Sequence, residues 1–373
     1  MPDAGAFGDE GAHTLDHIVS AAGGLDVPRL VQLGLGAIDG VSSLPAPSTP
    51  AGAFGRMAER SPGKDTSTGH WEMMGCPLTY AFPVYENGFP PEIIDAFVEQ
   101  TGVPGILCNA PASGTEVIER LGPEHIASGK PIVYTSADSV FQVAAHEQHF
   151  GLERLYSVCE TARAILDPYG VGRVIARPFV GEPGAFQRTY NRRDYSMLPP
   201  DETSLVRLRK ADVPVVGVGK IEDIFAGQGV SQSVHTEGNQ DGMQATIRLA
   251  RELEHGFVFV NLVDFDMLFG HRRDAAGYRT ALETFDRELV QLEAELGADD
   301  LVLLSADHGN DPTKIETTDH TREYVPILAS GPGLRGGVDL GTRETFADVG
   351  ATVEQAFGLQ PVGPGRSFLD ELG

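Results

Sequence analysis

With 373 residues the chain is long enough for two domains, each with its own hydrophobic core. Its 53 acidic against 28 basic residues leave a net charge of −25, which repels nucleic acid and anionic membranes and argues against both as partners. No apolar run reaches the roughly 18–20 residues that cross a bilayer. The polar, acidic opening MPDAGAFGDEGAHTLDHI does not read as a signal peptide. Cys76, Cys108 and Cys159 lie far apart with no CxxC pair, so a reducing cytoplasm fits better than an oxidising compartment.

In chain order, the patterns predict a helix at 91–101, a strand at 130–135 (KPIVYT), a helix at 148–166 and a strand at 171–177 (VGRVIAR). They continue with strands at 213–218 (VPVVGV) and 256–264 (GFVFVNLVD), a helix at 274–297 and a strand at 300–305 (DLVLLS). Strands alternating with helices predict an α/β protein with a largely parallel sheet. The Pro- and Gly-rich YENGFPP (85–91) and the loop NRRDYSMLPPDE (191–202) read as boundaries. The piece between them, 83–198, has its own strands and helices. It reads as a cap inserted into a core made of 1–82 and 199–373.

Two nearly all-apolar strands run out into acidic, histidine-bearing segments: Asp264-Phe265-Asp266 followed by Gly270-His271, and Asp307-His308-Gly309-Asn310-Asp311. A third such segment, Thr318-Asp319-His320, follows. In open α/β sheets ligands bind beyond the carboxyl ends of strands. Asp and His converging there form mixed nitrogen–oxygen sites suited to zinc, manganese or iron. The segment Gly63-Lys64-Asp65-Thr66-Ser67-Thr68-Gly69-His70 opens a predicted helix. A hydroxyl at a helix start meets free N–H groups favourable to a phosphoryl group. On local sequence alone, Thr66 or Ser67 acting only as an N-cap is the favoured reading. Ser113 with Glu116 reads as a capping box. Val216-Gly-Val-Gly-Lys220 is no phosphate-binding P-loop, and His13, His17, His125, His146, His149, His235 and His255 have no motif partners.

The strings GKDTSTGHWEMMG, YTSADSVFQVAAHE, VGRVIARPFVGEPGAFQRT, NLVDFDMLFGHRRD and ADHGNDPT…TDHTREYVPIL resemble the phosphopentomutase family of the alkaline phosphatase superfamily along essentially the whole chain. The resemblance implies an alkaline-phosphatase-like α/β core with an inserted α/β cap. It implies a phosphothreonine at Thr66 and two divalent metal ions, manganese in most of the family, on Asp266, His271, Asp307, His308 and His320. Asp264 and Asp319 then orient neighbouring residues or support the fold. Arg173, Arg188 and Lys220 contact a sugar phosphate, while Ser136 and Asp138 take sugar hydroxyls. Arg177, Arg192 and Arg193 are left to the surface or to ion pairs. The implied activity interconverts the 1- and 5-phosphates of ribose or deoxyribose through a bisphosphate, with a sugar bisphosphate as activator.

One feature departs from the family. Its members open on an apolar strand ending in a metal-binding Asp and Ser-x-Gly, whereas Met1-Pro2-Asp3-Ala4 corresponds to a point about twenty residues further in. The expectation is a start upstream of Met1. The alternative is a short chain with one metal weakly held, for which Asp3 and Asp9 are the nearest substitute ligands. Two other readings compete with the mutase: a phosphohydrolase or phosphoglycerate-type mutase of the superfamily, and a non-catalytic sugar-phosphate binder.

Overall fold

The computed structural model describes residues 1–136 and 139–373. The chain divides into two compact units, residues 1–80 with 199–373, and residues 81–198. The larger unit begins with helices α1 (Thr14–Ala22) and α2 (Pro28–Leu33), strand β1 (Ala53–Met57) and helix α3 (Thr66–Met73). The smaller unit contributes α4 (Pro91–Thr101), β2 (Leu107–Pro111), α5 (Gly114–Ser128), β3 (Ile132–Thr135) and β4 (Val140–His146). It continues with α6 (Leu152–Leu166), β5 (Arg173–Val180), β6 (Gln187–Arg188) and β7 (Arg193–Ser196). The rest of the larger unit holds α7 (Ser204–Lys210), β8 (Val215–Val218), α8 (Ile221–Ile224), β9 (Gln232–Val234), α9 (Asn239–Glu252) and β10 (Phe257–Val260). It closes with α10 (Ala275–Glu293), β11 (Val302–Ser305), β12 (Val325–Ser330), β13 (Val338–Arg343) and α11 (Ala347–Ala356).

The α/β architecture expected from the alternating pattern is present. In the larger unit β10, β8 and β9 form a wholly parallel sheet. The second sheet, in the order β11-β12-β1-β13, is mixed, because β12 runs antiparallel to both β11 and β1. The reason is the connection: β11 reaches β12 through the non-helical segment 306–324, and without a crossover helix two strands can pair antiparallel. β8 is buried along its whole length. The equally apolar β10 and β11 are edge strands of their sheets and are only partly buried.

Strand 256–264 stops at Val260, shorter than its apolar run. The backbone then winds into a π-helical turn, Phe265–Gly270, so Asp266 sits on that turn rather than on a strand. In the smaller unit, α4 and α6 cover one face of a sheet through Ile93, Phe97, Phe141, Tyr156 and Val174. The other face packs Val117 and Ile118 of α5 on Ile132, Tyr134 and Phe179. Burial of these side chains drives each layer, at about 25 cal/mol per Å² of apolar surface. The predicted capping box does not form. Ser113 is the N-cap of α5, but its hydroxyl makes no capping bond, and the helix opens on the Ser113 carbonyl with Val117 N at 2.9 Å.

Candidate active site

The site assembles around the start of α3. Asp65 is the N-cap: its carboxylate accepts from Thr68 N at 3.1 Å and from Thr68 Oγ1 at 2.5 Å. The capping duty that local sequence left open to Thr66 or Ser67 therefore falls to Asp65. Thr66 is the first helical residue, and its Oγ1 lies 3.3 Å from His308 Nε2. One turn on, His70 Nδ1 reaches the Thr66 carbonyl at 2.8 Å and Asp307 Oδ2 at 3.2 Å. α3 approaches the end of β11 so closely that a Cβ on Gly69 would lie 1.9 Å from the Asp307 carbonyl oxygen.

Histidine ring orientations follow from their outer partners. His308 Nδ1 faces the Gly309 carbonyl at 3.1 Å, and His271 Nδ1 faces the Thr318 carbonyl at 2.6 Å. A carbonyl only accepts, so each Nδ1 carries the hydrogen and each Nε2 is turned inward. His308 Nε2 lies 3.3 Å from Asp307 Oδ2, and His271 Nε2 lies 3.2 Å from Asp266 Oδ2. His320 Nε2 is buried without a hydrogen bond, 3.3 Å from Asp266 Oδ1. The His308 and His320 rings stack with centroids 3.8 Å apart. Ligand atoms of Asp266, His308 and His320 all fall within 4.8 Å of one another. An orphaned buried imidazole nitrogen beside a carboxylate and two further inward nitrogens is a donor set that fits a borderline divalent cation.

The electrostatics agree. Burial opposes ionisation of Asp266, but His271 and His320 outweigh it and hold the carboxyl well below the usual range. Asp307 is buried too, yet the neighbouring His308 and His70 hold its carboxyl below the usual range. Burial pushes the His308 imidazole below its ordinary value, against the pull of Asp307. The bond to Asp266 pushes His271 up, and for His320 contacts with Asp266 overcome the opposing effect of burial.

Thr66, Asp266, His271, Asp307, His308 and His320 are thus brought together within the larger unit. Asp264 stands apart: its Oδ2 accepts from Asn239 N at 2.7 Å and closes the start of α9. Asp319 bridges Lys64 Nζ at 3.0 Å and His320 N at 2.9 Å. Asp3 and Asp9, the nearest substitute ligands by sequence, are engaged in ion pairs. Asp3 pairs with Arg322 at 2.9 Å, and the buried Asp9 holds Lys64 at 2.9 Å together with Lys314, because ion pairing compensates their charge. Lys220 is exposed just past the carboxyl end of β8.

In the smaller unit Ser136 is half-buried after β3, and Asp138 lies outside the described residues. Arg173 opens β5, 3.7 Å from Asp194, and Arg188 on β6 donates to Thr115 Oγ1 at 2.5 Å. Arg192 forks onto Asp194 at 2.7 and 2.6 Å, Arg193 lies 3.8 Å over the Tyr156 ring, and the half-buried Arg177 donates to Gln142 at 3.1 Å. Sequence reasoning passed over His70 and Asn310. For His70 a signal existed: it lies four residues after Thr66, on the same face of a helix.

A model described as the Metalloenzyme superfamily matches residues 1–361, which places the molecule among metal-dependent enzymes. Phosphopentomutase from Anaeromyxobacter sp. (strain K) is 57% identical over 372 residues, covering 100% of this chain and 95% of that one. Phosphopentomutase from Symbiobacterium thermophilum is 52% identical over 374 residues, with the same coverage. The chain belongs to the phosphopentomutase family. Among solved structures, the PH0037 protein from Pyrococcus horikoshii is similar with a TM-score of 0.49 at 15% identity, over 94% of this chain and 96% of that one. No helix among the described residues is long and apolar enough to cross a membrane.

Proposed function

We infer that this chain is an isomerase, a phosphopentomutase interconverting the 1- and 5-phosphates of ribose or deoxyribose. The observation that carries the mechanism is the Thr66 hydroxyl, relieved of capping by Asp65 and 3.3 Å from His308 beside the Asp266–His320 cluster. Asp266, His271, Asp307, His308 and His320 would hold two divalent ions, manganese by family resemblance. When bound, such ions lower the pKa of a coordinated hydroxyl and neutralise charge on a transferring phosphoryl group.

Phosphorylated Thr66 donates its phosphoryl group to the free hydroxyl of the sugar monophosphate, breaking the bond to Oγ1 and forming a sugar bisphosphate. After the bisphosphate turns, Thr66 Oγ1 takes the other phosphoryl group and the isomeric monophosphate leaves. A sugar bisphosphate would prime Thr66 in the first cycle. The start of α3 offers N–H groups to the anion, apart from that of Thr68, which the Asp65 cap occupies. His70 contacts the Thr66 carbonyl, steadying the backbone that carries the hydroxyl. Arg173, Arg188 and Lys220 supply positive charge for the non-reacting phosphate in an otherwise acidic chain, and Ser136 and Asp138 take sugar hydroxyls.

The test is direct. Thr66→Ala abolishes mutase activity with the fold intact, and peptide analysis after incubation with a sugar bisphosphate finds phosphate on Thr66. Phosphate on Ser67 or Thr68 instead refutes the assignment. Arg188→Ala raises KM for the sugar phosphate; an unchanged kcat/KM removes Arg188 from the site.

A further inference from the structure

Asn310 is 3% exposed and lies against the metal cluster without belonging to it. Its Nδ2 donates to Asp266 Oδ1 at 2.6 Å, and its Oδ1 accepts from Arg273 Nη1 at 2.9 Å. An amide can turn over, but a guanidinium has no acceptor, so Arg273 forces the oxygen of Asn310 toward itself and the nitrogen toward Asp266. The carboxylate is thereby held on one side by a fixed donor, and its other directions are left to His271, His320 and a cation.

Arg273 is itself held from many directions. Its Nη1 also donates to the carbonyls of Gly270 at 3.0 Å and Asp311 at 3.0 Å. Nε donates to Thr317 O at 2.9 Å, and Nη2 donates to Thr317 O and, at 3.2 Å, to Asp319 O. One side chain therefore ties the turn carrying Asp266 and His271 to segment 317–319, which supplies the carbonyl that orients His271 and leads into His320. Arg273 has φ +57°, a left-handed conformation unfavourable to a residue with a Cβ. A Cβ on Gly270 would come within 2.5 Å of the Asn310 amide, so glycine there lets the turn close on it.

We propose that Arg273 and Asn310 are positioning residues for the metal centre, preorganising Asp266, His271 and His320 for a divalent cation. The proposal rests on Asp266 being a metal ligand. Partners in the outer shell of a metal site alter affinity by about 10–100-fold when removed.

The experiment measures Mn2+ binding by titration calorimetry on chelator-stripped protein, beside thermal unfolding of the same metal-free samples. Asn310→Leu keeps the volume and deletes the donor; Arg273→Lys keeps the charge and deletes the fork. Both weaken Mn2+ binding about 10-fold or more in protein that is still folded at the titration temperature. A lower melting temperature with parent-like Mn2+ affinity means the pair only supports the fold, and overturns the proposal. If Asn310→Leu does not fold, Arg273→Lys decides the matter alone by the same criterion. Asp266→Asn separates the two failures. Unchanged Mn2+ binding in that variant sinks the ligand assignment, whereas weakened binding there with parent-like binding in the other two sinks only the positioning role.

Discussion

Glu72 stands on α3 six residues beyond Thr66, is fully buried, and gathers donors from two segments of the larger unit, 60–61 and 345–346. Oε1 accepts from Arg60 N at 2.9 Å, Thr345 Oγ1 at 2.8 Å and Phe346 N at 3.0 Å. Oε2 accepts from Ser61 N at 2.7 Å, Ser61 Oγ at 2.5 Å and Arg60 N at 3.1 Å. Glu72→Gln preserves shape but turns one oxygen into an NH2 group. Hydroxyls can rotate to accept from it; the backbone N–H of Ser61 or of Phe346 cannot. Whichever way the amide turns, one buried backbone donor loses its acceptor, at about 1–3 kcal/mol, and the remaining bonds lose their charge assistance. The sum is about 3 kcal/mol. The chain has one tryptophan, Trp71, buried next to Glu72 with its indole N–H 2.9 Å from the Ile224 carbonyl. Its fluorescence therefore follows the larger unit alone during urea unfolding. With an m-value of about 3 kcal/mol/M for a unit of this size, the midpoint should fall by about 1 M. A shift below about 0.3 M would refute the claim that these bonds hold α3 in place.

Asp65→Ala removes the α3 cap and should lower stability by about 1 kcal/mol while cutting phosphate incorporation at Thr66, read by intact mass; parent-like incorporation counts against a preorganised Thr66. Gly69→Ala drives a methyl into the Asp307 backbone and should lower the bound Mn2+ per chain, measured by elemental analysis, with little change in secondary structure by circular dichroism. His320→Ala should reduce both Mn2+ content and rate, and full activity after exhaustive chelation would remove metal from the mechanism. Asp9 supplies a pH test. Its burial opposes ionisation, but Lys314 and Lys64 prevail and hold its carboxyl below the usual value. Its contribution is therefore complete above about pH 4 and lost as pH falls further. Asp9→Asn should destabilise by about 3 kcal/mol at pH 7, with the gap to the parent narrowing on acidification; a gap constant from pH 6 to pH 3 rules this out.

Local sequence determined the elements whose pattern is complete within a few residues. The apolar runs at 213–218 and 300–305 became β8 and β11, and the amphipathic stretch 91–101 became α4, because periodicity and short-range propensity suffice there. It also placed acidic and histidine-bearing segments after two strands. Tertiary structure decided the rest. The apolar run after Val260 left the strand for a π-helical turn, and the strand after 306–324 returned antiparallel. Thr66 and Ser67 looked like caps until Asp65 took the role. The contacts that define the site span long separations: 242 residues between Thr66 and His308, and 44 between Asp266 and Asn310. The Gly309 carbonyl, one residue on, orients the His308 ring locally, but that its Nε2 meets Thr66 follows only once β11 and α3 have packed together.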